Sequence, residues 1–225
     1  MNTTLRAHRD PGAITGSLTG ITFVSAIVGA MKLAKNPIPR PGAPAADVRT
    51  YYRDSARAVR FSATGQLVSI GLLARFTASV AQLAARSDRS AGALRTGAVL
   101  SGAAAVASLT ASAVTHAALT VPRERDDASM VRQARRVFVA GGPVHGVAYG
   151  VLTGILATAG ERTGVLNRPV AVTGLVSAAA GVLSPLYFRW ESAGWLIPIG
   201  RFSGYIVSAI AGARLASAPR QCCSG

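Results

Sequence analysis

The chain of 225 residues is short of carboxylates, and the few it has avoid every long apolar stretch. All nine acidic residues, Asp10, Asp47, Asp54, Asp88, Glu124, Asp126, Asp127, Glu161 and Glu191, lie between or outside those stretches. A water-soluble fold would scatter them over helix surfaces, whereas carboxylates in hydrocarbon cost several kcal/mol each. Residues Gly12 to Met31, Thr96 to Pro122, Val137 to Gly160 and Pro169 to Phe188 contain no Asp, Glu, Lys or Arg. Two further runs, Phe61 to Ala85 and Ser192 to Ala213, are each broken by one arginine, Arg75 and Arg201. At about 1.5 Å per helical residue, each run can cross a hydrocarbon layer of about 30 Å.

With 50% hydrophobic residues, 15% charged residues and a mean hydropathy of +0.36, the chain reads as all-α, a polytopic membrane bundle of six transmembrane helices. The spans are expected at about 12–34, 61–85, 97–121, 137–160, 169–188 and 193–216, flanked by an N-terminal tail (1–11) and a C-terminal tail (217–225). The first run is too long for the apolar part of a signal peptide and has no small-residue cleavage pattern before Lys32 and Lys35, so it is read as an uncleaved anchor.

Other absences narrow the chemistry. Cysteine occurs only as the adjacent pair Cys222 and Cys223, and there is no CxxC or Cys/His cluster, which argues against a disulfide framework or a zinc site. With no carboxylate inside a span, a proton relay, an Asp-rich diphosphate site and carboxylate-bound sodium all lack their ligands. No Gly-x-Ser-x-Gly elbow or phosphate-loop lysine is present. The net charge of +15 comes from arginines at the ends of apolar runs, where lipid headgroups are the nearest anions, and this argues against nucleic acid as a partner.

Between spans one and two, Pro37, Pro39, Pro41 and Pro44 stiffen an exposed loop. From Ala45 onward Val48, Tyr51 and Tyr52 fall on one helical side and Arg49, Arg53 and Arg57 on another, an amphipathic interfacial pattern. Asp127 is expected to cap the helix leading into span four. Tyr187, Phe188, Trp190 and Trp195 cluster at the turn between spans five and six, as aromatic belts do at a headgroup boundary. Small residues four apart let membrane helices approach closely. Three ladders of this kind stand out as helix-packing faces: Gly12, Gly16 and Gly20; Gly142, Gly146, Gly150 and Gly154; Gly200, Gly204, Ser208 and Gly212. Ala103, Ala107 and Ala111 form a weaker one.

The polar residues left inside the spans are the candidates for a site. His116, His145 and Arg201 all fall about 8 to 12 Å below the membrane face that carries loops one, three and five. Tyr149 and Tyr205 follow His145 and Arg201 by four and so share their sides. Arg75 reads as deeper, with no acidic span residue to pair with, so that carbonyls, water or an anionic ligand must meet it. Arg75, His116, His145, Tyr149, Arg201 and Tyr205 are therefore the candidate ligand-binding set; no catalytic or metal residue stands out. The leading expectation is a non-enzymatic protein that binds an amphiphile, a lipid or a partner helix in a polar cavity of spans two, three, four and six. The alternative is a small membrane enzyme or a redox protein with haem b between His116 and His145. Membrane lipids are the expected partners, with a homo-oligomer or another membrane protein also open.

Three segments carry a resemblance: Pro41-Gly42-Ala43-Pro44-Ala45-Ala46-Asp47-Val48-Arg49-Thr50-Tyr51-Tyr52, Gly141-Gly142-Pro143-Val144-His145-Gly146 and Arg162-Thr163-Gly164-Val165-Leu166-Asn167-Arg168. Together they are similar to uncharacterised multi-pass membrane proteins of actinobacteria, with Asn167 and Val170 departing from the usual pattern. The resemblance implies a six-span plasma-membrane protein with both termini in the cytoplasm. The arginine count points the other way, with thirteen Lys/Arg in the odd loops against nine in the termini and even loops. Interfacial arginines inflate the odd-loop count, and the cytoplasmic placement is the one adopted.

Overall fold

A computed structural model describes residues 10–87, 92–124 and 126–217. Cys222, Cys223, residues 1–9 of the N-terminal tail, the tip of the hinge at 88–91 and the C-terminal tail from 218 lie outside the described residues. Within them the chain is helical, without a strand: α1 (Thr15–Leu33), α2 (Ala45–Asp54), α3 (Ala56–Ser87), α4 (Ala93–Ala118), α5 (Asp127–Val139), α6 (His145–Arg162), α7 (Arg168–Leu183) and α8 (Leu196–Ser217). Short 3-10 turns precede α1 and separate α7 from α8, and a π-helical segment, Ala140–Val144, joins α5 to α6.

Six of the resulting rods are long and apolar enough to cross a membrane: Pro11–Leu33, Ala56–Ser87, Ala93–Ala118, Asp127–Arg162, Arg168–Phe188 and Glu191–Ser217. Their outward faces carry Ile21, Leu100, Val176 and Ile206, each more than half exposed. That is the inverse of a soluble surface and is what a lipid solvent requires. Neighbours in sequence are neighbours in space. The rods close into a ring in the order α1, α3, α4, α6, α7, α8 and back to α1, and α6 also packs across the ring on α3 and α8.

Close approach holds the ring together. A Cβ added at Gly16 would collide with Phe76 of α3, and one at Gly20 with Tyr205 of α8. Among α6, α7 and α8 backbone meets backbone. A Cβ on Gly150 would sit 3.0 Å from the Ala178 carbonyl oxygen, and one on Gly200 would sit 2.7 Å from the Gly181 nitrogen. Gly146, Gly154, Gly204 and Gly212 are likewise placed against a neighbouring helix, and the Ser208 hydroxyl meets Tyr149. Gly142 is the loosest of the ladder, with its nearest neighbours 3.8 Å away. Ala103, Ala107 and Ala111 differ from these ladders: they lie exposed on the outer face of α4.

At the face bearing loops one, three and five, two amphipathic helices form a cap. Val48, Tyr51 and Tyr52 of α2 pack on Val59, Leu119 and Met130, so the apolar side read from the sequence is the buried one. Arg49 of α2 forms an ion pair with Asp127 at the start of α5. The cap of α5 is Asp126, not Asp127. Its carboxylate accepts the Ser129 N–H at 2.7 Å, which leaves Asp127 in the first turn with its charge on the helix dipole and on Arg49. The fourth rod thus continues well beyond the bilayer-length segment expected from charge alone.

Candidate functional site

Four of the six candidate residues come together. His145 and Tyr149 stack one turn apart on α6, ring centroids 5.7 Å apart and nearly parallel. Tyr149 lies 5.4 Å from Tyr205 of α8, and Tyr205 lies 5.7 Å from Phe23 of α1. The Arg201 guanidinium closes the group, 5.0 Å over the Phe23 ring. Spacing explains the grouping: His145/Tyr149 and Arg201/Tyr205 are both i, i+4 pairs, and α6 and α8 turn those sides toward each other. Tyr149 exchanges a 3.0 Å hydrogen bond with Ser208, and the Thr153 hydroxyl donates to the Tyr149 carbonyl at 2.8 Å. These side chains fill the space between the helices: His145 is 1% and Tyr149 3% exposed.

Arg201 is held by the backbone. Its guanidinium donates to the Gly141 carbonyl in the π-helical segment. That segment carries Gly141, Gly142 and Pro143, so its backbone bonding is loosened where proline lacks an N–H. Side chains from three other rods bond its carbonyls or those beside it: Arg201 bonds Gly141, Ser184 bonds Pro143 at 3.3 Å, and Ser112 bonds Val137 at 2.9 Å. Arg201 has no carboxylate partner among the described residues, and its buried Nε has no hydrogen-bond partner. An unpaired cation within a span is costly, so such residues usually mark a function.

Beside this cluster, on the outer surface, a groove of about 480 Å³ runs between α1 and α8, lined by Ser17, Gly20, Val24, Phe202, Tyr205 and Ile206 among others. It is almost wholly apolar and opens sideways, toward lipid. Gly20 forms its floor by letting Tyr205 lie against α1. Phe202, the residue after Arg201, lines the groove, whereas the Arg201 guanidinium lies on the inner side, over Phe23.

Arg75 and His116 lie elsewhere. Arg75 does have an acidic partner: its Nη2 donates to Asp10 Oδ1 at 2.9 Å and its Nη1 to Ser79 at 3.0 Å. Asp10 also accepts the Gly12 N–H at 2.9 Å and thereby caps the first rod. Arg75 is twelve residues from the end of α3, yet the shorter first rod begins beside it, which is why depth counted along α3 alone placed it too far from a carboxylate. Burial acts to raise the Asp10 carboxyl. Ser79, the Arg75 charge and hydrogen bond, and the Gly12 N–H outweigh it and hold the carboxyl below the usual carboxylate range.

His116 belongs to the cap, edge-on to Tyr52 with ring centroids 5.6 Å apart. His145 instead meets the Ala105 carbonyl through Nδ1 at 3.0 Å. Ala105 is eleven residues from His116 on α4, so the two histidines are separated by about 16 Å along that helix axis. They do not face a common haem. The equal depths expected from span counting fail because Val137, taken as the start of span four, already lies beside Ser112, well inside the end of α4.

Sequence reasoning missed Asp10, Phe23 and Gly181. Asp10-Pro11 is a capping signal that was legible. Gly181 follows Gly174 by seven, a weaker pattern, and nothing local marked Phe23 as the ring beneath Arg201. No family model, no curated protein and no solved structure matches this chain.

Proposed function

We propose that this six-span membrane protein is a non-enzymatic binder of an anionic amphiphile in a bacterial plasma membrane, with both termini cytoplasmic. The acyl chain lies in the groove between α1 and α8, and the carboxylate or phosphate reaches Arg201. One observation carries the reading: among the described residues Arg201, which interrupts the sixth span, lacks a carboxylate, and its neighbours on α8, Phe202 and Tyr205, line an apolar groove on the outer surface. A ligand anion supplies the missing charge and hydrogen bonds, and charge-assisted hydrogen bonds to guanidinium are among the strongest available. Tyr149 and His145 support the site by packing, not by contact with the groove. The arginines of the cap, among them Arg49 on Asp127, belong to folded interfacial structure, which is consistent with the cytoplasmic placement of the termini.

The test is the lipid content of protein purified in mild detergent. Wild type retains about one anionic amphiphile per chain, and Arg201→Ala loses it while Arg201→Lys keeps part of it. Equal lipid in wild type and Arg201→Ala, with both monodisperse, rejects the reading.

A further inference from the structure

A second groove, of about 530 Å³, opens at the capped face between α5 and the turns that join α7 to α8. Its walls are aromatic and cationic. Phe138 and Tyr187 meet at 5.3 Å between ring centroids, and Arg135 and Arg189 stand on its two sides, one from α5 and one from the turn. Both arginines are exposed, and neither has an ion-pair partner among the described residues. Glu191 is the one carboxylate in the lining, so the groove is net cationic.

Depth identifies what such a groove meets. Trp190 and Trp195 on the same turns are 57% and 74% exposed. Exposed tryptophans beside the ends of apolar rods mark the headgroup level of a bilayer. At that level the abundant anion is the phosphate of a lipid headgroup, and guanidinium forks match phosphate oxygens in pairs. We infer that this groove binds the phosphate headgroup of an anionic membrane lipid, gripped between Arg135 and Arg189 over the Phe138–Tyr187 pair. The inference does not rest on the Arg201 reading. Arg201 does not line this groove, which is polar and open to water where the other is apolar and open to lipid.

The experiment is native mass spectrometry of the full chain from mixed micelles of phosphatidylglycerol and phosphatidylcholine with identical acyl chains. Wild type retains a phosphatidylglycerol that Arg135→Gln/Arg189→Gln binds about 25-fold more weakly, about fivefold per arginine. Arg135→Lys/Arg189→Lys recovers most of that affinity, and Arg201→Gln leaves this lipid bound. Raising salt to about 0.5 M weakens binding, because the groove is water-exposed. Both arginines are surface residues, and unchanged thermal unfolding of the double variant confirms that it is folded. Equal retention by wild type and the glutamine variant overturns the inference, as does equal retention of phosphatidylcholine. A wild type that retains no phosphatidylglycerol here, as expected if an acidic protein segment were the occupant, also overturns it.

Discussion

Arg75 and Arg201 are the two cations that interrupt the apolar runs of the sequence, and the protein treats them in opposite ways. Arg75 sits near the terminus-bearing face with Asp10 at 2.9 Å and Ser79 at 3.0 Å, its side chain 44% exposed and that of Asp10 only 10%. Arg201 sits near the capped face with a backbone carbonyl, the Phe23 ring and, among the described residues, no carboxylate. A cation paired by its own chain is an element of structure, fastening the start of the first rod to the second. A cation left unpaired carries a standing electrostatic cost that a ligand can relieve. The pair therefore contrasts a charge neutralised within the fold with one that the proposed ligand would neutralise.

Substitutions that equalise the two arginines test the contrast. The largest effect is expected from Arg75→Leu, which strands the buried Asp10 carboxylate. Loss of about 3 kcal/mol of unfolding free energy in a detergent denaturation series is expected, at the low end for a broken buried pair because Arg75 is half exposed. Asp10→Asn comes next, at about 2 kcal/mol, because it weakens both the ion pair and the cap on the first rod. The same pair sets a pH dependence. Because the folded carboxyl titrates below its unfolded value of about 3.9, its stabilisation is complete above that pH and disappears as pH falls through the folded value. Wild type is expected to lose stability below about pH 4 by a component that Asp10→Asn lacks.

Smaller effects are expected around Arg201. Tyr149→Phe removes the hydrogen bond with Ser208 and should cost about 1 kcal/mol in the same denaturation series, without changing the lipid in the α1–α8 groove. Arg201→Met, an apolar side chain of similar length, should change unfolding free energy by less than about 1 kcal/mol in ligand-free protein, since an unpaired charge leaves with it. A large loss on Arg201→Met would place Arg201 with Arg75 as a structural charge and erase the distinction.

The six rods were legible because carboxylates are excluded from hydrocarbon, a pattern that needs no tertiary information: every rod-length helix overlaps an apolar run found that way. The cluster of His145, Tyr149, Arg201 and Tyr205 was legible from two i, i+4 pairs at matching depth on spans four and six. What failed was depth counted from the ends of uncharged runs. The first rod starts beside Arg75, not at the far end of α3, and the fourth rod begins at Asp127, outside the apolar run. Those offsets brought Asp10 to Arg75 and took His116 away from His145. They depend on helix lengths set by caps, Asp10 for one rod and Asp126 for the other, and on packing no single segment reveals.

Ligand-induced stabilisation compares the two arginines directly. An amphiphile that binds only the folded protein raises its unfolding free energy by about 2.7 kcal/mol when present at a hundred times its dissociation constant. Oleate titrated into wild type, Arg75→Leu and Arg201→Met, with the neutral oleyl alcohol as control, should stabilise the first two by similar increments above the alcohol and leave the third at the alcohol's level. Equal stabilisation of Arg201→Met by oleate would contradict the claim that this unpaired guanidinium is there to meet an anion.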